Sequence, residues 1–244
     1  MTVKDMHYDF KVRVNKIDSQ QYRNLKIQEI DRLLNEAMIV FIKSSAEPII
    51  NSSYGFETNQ REIDDIRTIV KDELIDSQGI TPSPVDSYKY IAALPADYMY
   101  FTRAYITAYR GSDPDSCKKL IRARVKRHDD MHRESPFDSS SFEWGEINVE
   151  FAQGGVTIFT DGTFTPSKLR LSYIRYPLYI NNSQSVAGGG GYQLPNGTSL
   201  TVNQDCELPN QVHGNIVDIA VAIATGNLQV PDYQYKFLKT KIDK

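Results

Sequence analysis

Residues 88–109, YKYIAALPADYMYFTRAYITAY, hold two runs rich in aromatic side chains, Tyr88–Leu94 and Tyr98–Tyr109, on either side of Pro95-Ala96-Asp97. Pro and Asp together set a turn, and aromatic runs flanking a turn read as strands. The pattern continues downstream. Lys118–His128 alternates polar with apolar residues, Glu143–Phe151 and Val156–Thr160 are joined through Gly154-Gly155, and Asp161-Gly162 is a two-residue hairpin signal leading into a strand from Lys168 to Tyr176. Residues 86–180 therefore read as an antiparallel sheet region.

On both sides of this region the period changes. Upstream, Ile30, Leu33, Leu34, Ala37, Met38, Phe41 and Ile42 fall at helical spacing before Pro48. Asn59 and Glu62 have capping-box spacing for a second helix running through Ile63, Ile66, Val70 and Leu74 to a stop at Gly79, with Pro82 and Pro84 beyond it. Downstream, Pro209 opens a helix with Val212, Ile216, Ile219, Ala220 and Ile223 as its apolar face and Gly226 as its stop, and Pro231 opens a last one carrying Tyr235, Leu238 and Ile242. Residues 181–207, with Gly188, Gly189, Gly190 and Gly191 before Tyr192 and the turn Pro195-Asn196-Gly197, have no helical period and read as a long loop or hairpin. Residues 5–14 alternate, Met6, Tyr8, Phe10, Val12 and Val14 against His7, Asp9, Lys11 and Arg13, so residues 1–16 read as an extended arm with one apolar face. The expected fold is α+β: an amphipathic helical bundle (helices 17–79 and 208–244) with an inserted antiparallel β-sheet region (86–180), in a single domain over 17–244.

Bulk numbers narrow the function classes. In 244 residues, 40% hydrophobic and 24% charged content is that of an ordinary globular chain, and no window reaches the roughly 18 apolar residues of a membrane span. Fifteen Tyr against one Trp lean toward binding surfaces, since Tyr joins apolar area to a polar tip. A formal net charge of −3 argues against holding nucleic acid by the overall field. Cys117 and Cys206 have neither disulfide-framework nor zinc spacing.

Few constellations could carry chemistry. His128, Asp129, Asp130 and His132 resemble a metal or acid/base cluster, but beside Arg133, Glu134 and Pro136 they read more simply as a solvated turn. The same group would supply the only close carboxylates for a hydrolase acting on cell-wall polymer. The glycine run at 188–191 lacks the Lys-Ser/Thr of a phosphate-cradling loop. No catalytic, metal or cofactor residue is expected. Lys118, Arg122, Arg124 and Lys126 lie on one side of an alternating strand and form a basic edge, which suits a solvated sheet face, an acidic neighbour or, as the alternative, a nucleic-acid-binding module built on residues 118–126.

Several stretches resemble the ring proteins of crAss-like podoviruses: Ala93-Leu94-Pro95-Ala96-Asp97-Tyr98, Ser141-Phe142-Glu143-Trp144-Gly145, Leu169–Pro177, and Glu207-Leu208-Pro209 followed by Gln211–Gly226 and Val230-Pro231-Asp232-Tyr233. The likeness runs over residues 17–244, and the order resembles that of head-to-tail adaptors of tailed phages. It implies a non-enzymatic virion protein, assembled in the bacterial cytoplasm as a homo-oligomeric ring of about twelve copies below the portal protein. Further ring and tail proteins would be its partners, viral double-stranded DNA would pass with loose contact, and neither a membrane nor a cofactor is involved. On this reading residues 1–16 and 181–207 are assembly devices, with Met6, Tyr8, Phe10, Val12, Lys118, Arg122, Arg124, Lys126, Gly188–Gly191 and Tyr192 as interface residues.

Overall fold

A computed structural model of the chain describes residues 1–15, 25–51, 64–111, 117–126, 138–152, 155–182, 192–193, 199–200 and 202–227. The chain divides into two compact units where the sequence reads as one domain: residues 1–69 with 177–244, and Val70–Tyr176 between them.

Unit 2 is an eight-stranded sheet: β1 (Val70–Ile75), β2 (Ile80–Pro82), β3 (Lys89–Ala92), β4 (Tyr98–Tyr109), β5 (Lys118–Val125), β6 (Ile147–Ala152), β7 (Gly155–Phe159) and β8 (Thr165–Arg175). Its spatial order is β1-β8-β4-β5-β6-β7-β3-β2. The two edge strands, β1 and β2, are consecutive and joined only by Asp76–Gly79, a link too short to span a flat sheet of this width, so the sheet curls into a half-barrel. Side chains alternating to the inner face, among them Ala104, Ile106, Ile121, Ile147, Ile158 and Leu171, make one buried core. At its margin Tyr98 stacks on Phe151, and Phe101 meets Phe151 at a tilt.

This architecture overturns the expected helical bundle with an inserted antiparallel sheet. The sheet dominates, it is mixed rather than antiparallel, and the described residues contain three long helices. The parallel pair is β5 with β6, Ala123 opposite Ile147 and Val125 opposite Val149; parallel neighbours need a crossover of a dozen or more residues, and residues 126–146 supply it. Two turns also join strands that are not neighbours. Pro95-Ala96-Asp97 links β3 to β4, and Asp161-Gly162 links β7 to β8, neither pair being hydrogen-bonded to each other. Asp161 instead makes a local turn, its carboxylate accepting from the Thr163 amide at 2.7 Å.

The second helix expected through Val70 and Leu74 is replaced there by β1, whose ladder runs antiparallel to β8 from Val70↔Ile174 to Ile75↔Leu169. The β-branched Val70 and Ile75 fit a pleated strand, and pairing with β8 outweighs the helical spacing. Asn59 and Glu62, the capping-box pair, lie outside the described residues, as does the helix expected from Pro231.

Unit 1 holds α1 (Val3–Asn15), α2 (Ile27–Asn51), α3 (His213–Asn227) and a two-stranded pair, β9 (Tyr192–Gln193) with β10 (Ser199–Leu200). Residues 3–15 are thus helix and not an extended arm. Val3, Met6, Phe10 and Val14 are buried at helical spacing, a period that the alternation of 6, 8, 10, 12 and 14 masks. Thr2 and Asp5 cap the helix reciprocally: the Thr2 amide donates to the Asp5 carboxylate at 3.0 Å and the Asp5 amide to the Thr2 hydroxyl at 3.3 Å. Arg13 ties α1 to α3 through Asp218 at 2.9 Å and the Gly214 carbonyl at 3.0 Å. α2 does not close at Pro48 but runs on to Asn51.

Candidate interaction surface

Alternation along β5 turns Ile121 and Ala123 inward and leaves Lys118, Leu120, Arg122 and Arg124 exposed on the outer side of unit 2. The ladders then add residues that the sequence does not associate with this strand. Arg122 stands opposite Tyr105, Tyr105 opposite Arg170, and Arg170 opposite Leu74, while Leu120, Thr107 and Lys168 form the next row. Arg103 stands opposite Ser172 and donates from Nε to its hydroxyl at 3.1 Å. The basic strand is therefore one row of a wider basic face that includes Arg103, Lys168 and Arg170. Only the strand register could have identified these three, because they are 15 to 45 residues away from β5 in sequence.

At one end of this face β4 and β5 part. Their ladder runs from Tyr109↔Lys118 to Tyr105↔Arg122 and, continued by two residues, would set Arg103 opposite Arg124. Like charges directly opposite one another destabilise an antiparallel pair. β5 instead turns to β6, and Arg124 pairs with Glu146 at 2.6 Å. The fork opens a cleft of about 560 Å³ lined by Phe101–Arg103 from β4, Arg122–Val125 from β5, and Trp144, Gly145 and Glu146.

Trp144 dominates the rim with 84% of its surface exposed. It sits on a tight turn closed by the backbone pair of Ser141 and Glu146 (2.7 and 3.0 Å), with Gly145 at φ +67°. Beneath it, Phe142 is buried against Phe164, and the Lys119 ammonium donates to the carbonyls of Phe142 and Glu143, both at 3.0 Å. The turn is anchored while the indole faces solvent, and a large apolar side chain held in water on a fixed support is characteristic of contact surfaces.

The other interface residues expected from the sequence divide between the two units. Met6 and Phe10 are buried inside unit 1 and cannot meet a partner, whereas Tyr8, 70% exposed, and Val12 lie one turn apart on the outer side of α1. Lys126 belongs to the strand end but pairs with the Asp138 carboxylate and donates to its carbonyl at 3.1 Å. Tyr192 is in β9; Gly188–Gly191 and the cluster His128, Asp129, Asp130, His132 and Glu134 lie outside the described residues.

Unit 1 contains a buried polar group of a different kind. His7 Nε2 lies 2.7 Å from the Asp31 carboxylate, whose second oxygen accepts from the Asn182 amide at 3.2 Å. Asn35 pairs with the backbone of Ile180 in both directions. His213 donates from Nε2 to the Leu208 carbonyl at 2.8 Å, and burial holds its pKa below the usual histidine value, against the raising effect of that bond. The contacts of Asp31 and Asn35 join chain segments far apart in sequence. Among the described residues no group of three His, Cys, Asp or Glu is placed to hold a metal ion, and no helix is long and apolar enough to cross a membrane. No protein family matches the sequence, and no curated protein matches it either.

Proposed function

We propose that this chain is a structural subunit of a phage head-to-tail connector, working by ring assembly below the portal and by contact with neighbouring ring or tail proteins. The observation that supports it best is the anchored, exposed Trp144 beside Arg103, Arg122 and Arg124 in an open cleft. Trp and Arg dominate the residues on which protein–protein binding energy concentrates. The sequence likeness to ring proteins of crAss-like podoviruses gives that contact surface a setting.

The test is assembly itself. Mass photometry and negative-stain imaging of the purified chain, alone and with its virus's portal protein, are expected to show a closed symmetric particle. A chain that stays monomeric with and without portal would overturn the reading. Trp144→Ala, exposed and so costing little stability, is expected to leave the monomer folded and to weaken docking to a neighbouring ring or tail protein.

A second reading, contact with DNA phosphates, is favoured by the register that sets Arg170 and Lys168 in the same cross-strand rows as Arg122 and Leu120, across β4. It calls for affinity that falls steeply with salt, with a slope set by the number of phosphates contacted. Glu146 in the cleft and Asp72 on the same outer face oppose phosphate there.

A further inference from the structure

The cleft at the β4–β5 fork combines three features that together point to one kind of occupant. The first is an open strand edge. Along Phe101–Ala104, β4 is paired with β8 on one side at Phe101, Arg103 and Ala104, with Thr102 in a bulge between them, and no strand of the described residues accompanies it on the other, because β5 has turned away to β6. Alternate residues of a strand direct N–H and C=O to opposite sides, so this stretch presents backbone donors and acceptors to the cleft.

The second feature is charge. Three arginines line the cleft against a single carboxylate, Glu146. Arg124 is engaged with that carboxylate and Arg103 spends one N–H on Ser172, but Arg122 has no ion-pair partner among the described residues. Guanidinium groups with unused donors match carboxylates in a planar, bidentate geometry. The third is Trp144, an apolar platform at the rim on which a side chain of the occupant can rest.

We infer that the fork receives an extended acidic segment of a partner protein, which adds as a strand to the open edge of β4 at Thr102–Ala104 and sets its carboxylates against Arg103, Arg122 and Arg124. This rests on the connector reading for its setting and supplies the chemistry of the partner. A peptide fits better than a nucleic acid for two reasons. Strand addition uses backbone donors and acceptors that a nucleic acid does not match. Glu146, already bound to Arg124 in the cleft wall, repels phosphates, whereas an extended peptide can place its carboxylates on one side only and keep them off Glu146.

The fork also explains why such a segment would be selective. Arg103 and Arg124 repel one another when β4 and β5 zip together, and an acidic strand inserted between them turns that repulsion into two attractions. The occupant thus takes the place that continued pairing denies to the chain's own strand.

The experiment uses the full chain and fluorescence anisotropy with a labelled peptide of alternating Glu and Val, about ten residues long so that it spans the open edge. Three probes accompany it: a peptide of equal charge with Pro in place of Val, a Lys–Val peptide, and a single-stranded oligonucleotide. The Glu–Val peptide is expected to bind and the Glu–Pro peptide, which cannot donate from its prolines, to bind about tenfold more weakly. Arg122→Glu is expected to weaken Glu–Val binding by about tenfold or more, and Arg122→Lys by less. Equal binding of the Glu–Pro peptide, tighter binding of the Lys–Val peptide or the oligonucleotide, or unchanged affinity in Arg122→Glu would each overturn the inference. Circular dichroism checks that the variant folds, and the Pro comparison needs no variant at all. Rings that form while no peptide binds defeat this inference alone; peptide binding by a chain that never assembles defeats the connector reading alone.

Discussion

Asn35 lies within the apolar stripe of α2, and its amide serves the Ile180 backbone in both directions, donating to the carbonyl at 2.9 Å and accepting from the N–H at 2.7 Å. The side chain thereby does for one residue what a neighbouring strand would do. Asn35→Ala leaves two buried backbone groups unpaired and is predicted to cost unit 1 about 3 kcal/mol, measured by denaturant unfolding. Acid acts on the two units through different residues. His213 is held neutral by burial, so its contribution is fully present above the ordinary histidine value of 6.5 and is lost as the pH falls through its lowered value. In unit 2, burial pushes Asp97 upward, but hydrogen bonds from Tyr173 (2.7 Å) and Lys71 (3.3 Å) outweigh it and hold the carboxyl below the usual 3.8. Its contribution is present above 3.8 and fades only below that. Stepwise acidification is therefore predicted to weaken unit 1 as the pH falls below 6.5, while unit 2 holds until the pH is below 3.8. Amide exchange resolved by residue would read this, and simultaneous loss would refute it. None of these residues is legible in the sequence, because a polar side chain in an apolar stripe shows its purpose only when its distant partner is in place.

At the scale of the element, α1 shows how a period misleads. Residues 5–14 alternate perfectly, yet Thr2 and Asp5 form a capping box and 3, 6, 10 and 14 share a helical face. The box was open to reading in the sequence, three residues apart and ahead of an apolar pattern. Thr2→Ala and Asp5→Ala are each predicted to destabilise the helix by about 1 kcal/mol, seen as faster exchange of the first-turn amides of α1, with α2 and α3 unaffected. β5 and the late helix α3 are legible as elements, since strict alternation and a Pro-to-Gly helical span are local signals. β1 is not: the spacing of Ile66, Val70 and Leu74 is helical, and the decisive pairing partner lies about a hundred residues away in β8. The candidate surface divides likewise, with Arg122 and Arg124 visible in one strand while Arg103, Lys168 and Arg170 join them only through the ladders.

For the whole molecule, the place where unit 2 enters the chain matters most. β1 starts at Val70 and β8 ends at Arg175, and Val70 stands directly opposite Ile174 in the ladder, so the insertion begins and ends at adjacent points. Among the described residues its buried core runs from Ile80 to Tyr173, with Ile75 packed against it. Residues 70–176 are predicted to fold cooperatively as an isolated fragment, and the remaining chain, closed by a short Gly-Ser linker, is predicted to keep the helical circular dichroism of α1, α2 and α3. A fragment that unfolds without a sharp transition would show that the units are stable only together. Sequence alone could mark the sheet region but not its strand order, because Pro95-Ala96-Asp97 and Asp161-Gly162 look like hairpin turns and instead carry the chain between strands that never pair.

The same ladder between β1 and β8 has a consequence during synthesis. β1 leaves the ribosome about 90 residues before β8 begins, and at about 5–20 residues per second it waits roughly 5–20 s for the strand that will cover it. Throughout that interval Val70, Leu74 and Ile75 belong to a nascent segment with an uncovered edge. β1 is therefore open to chaperones during synthesis, and the rate at which ribosomes cross residues 76–164 governs how long it stays so.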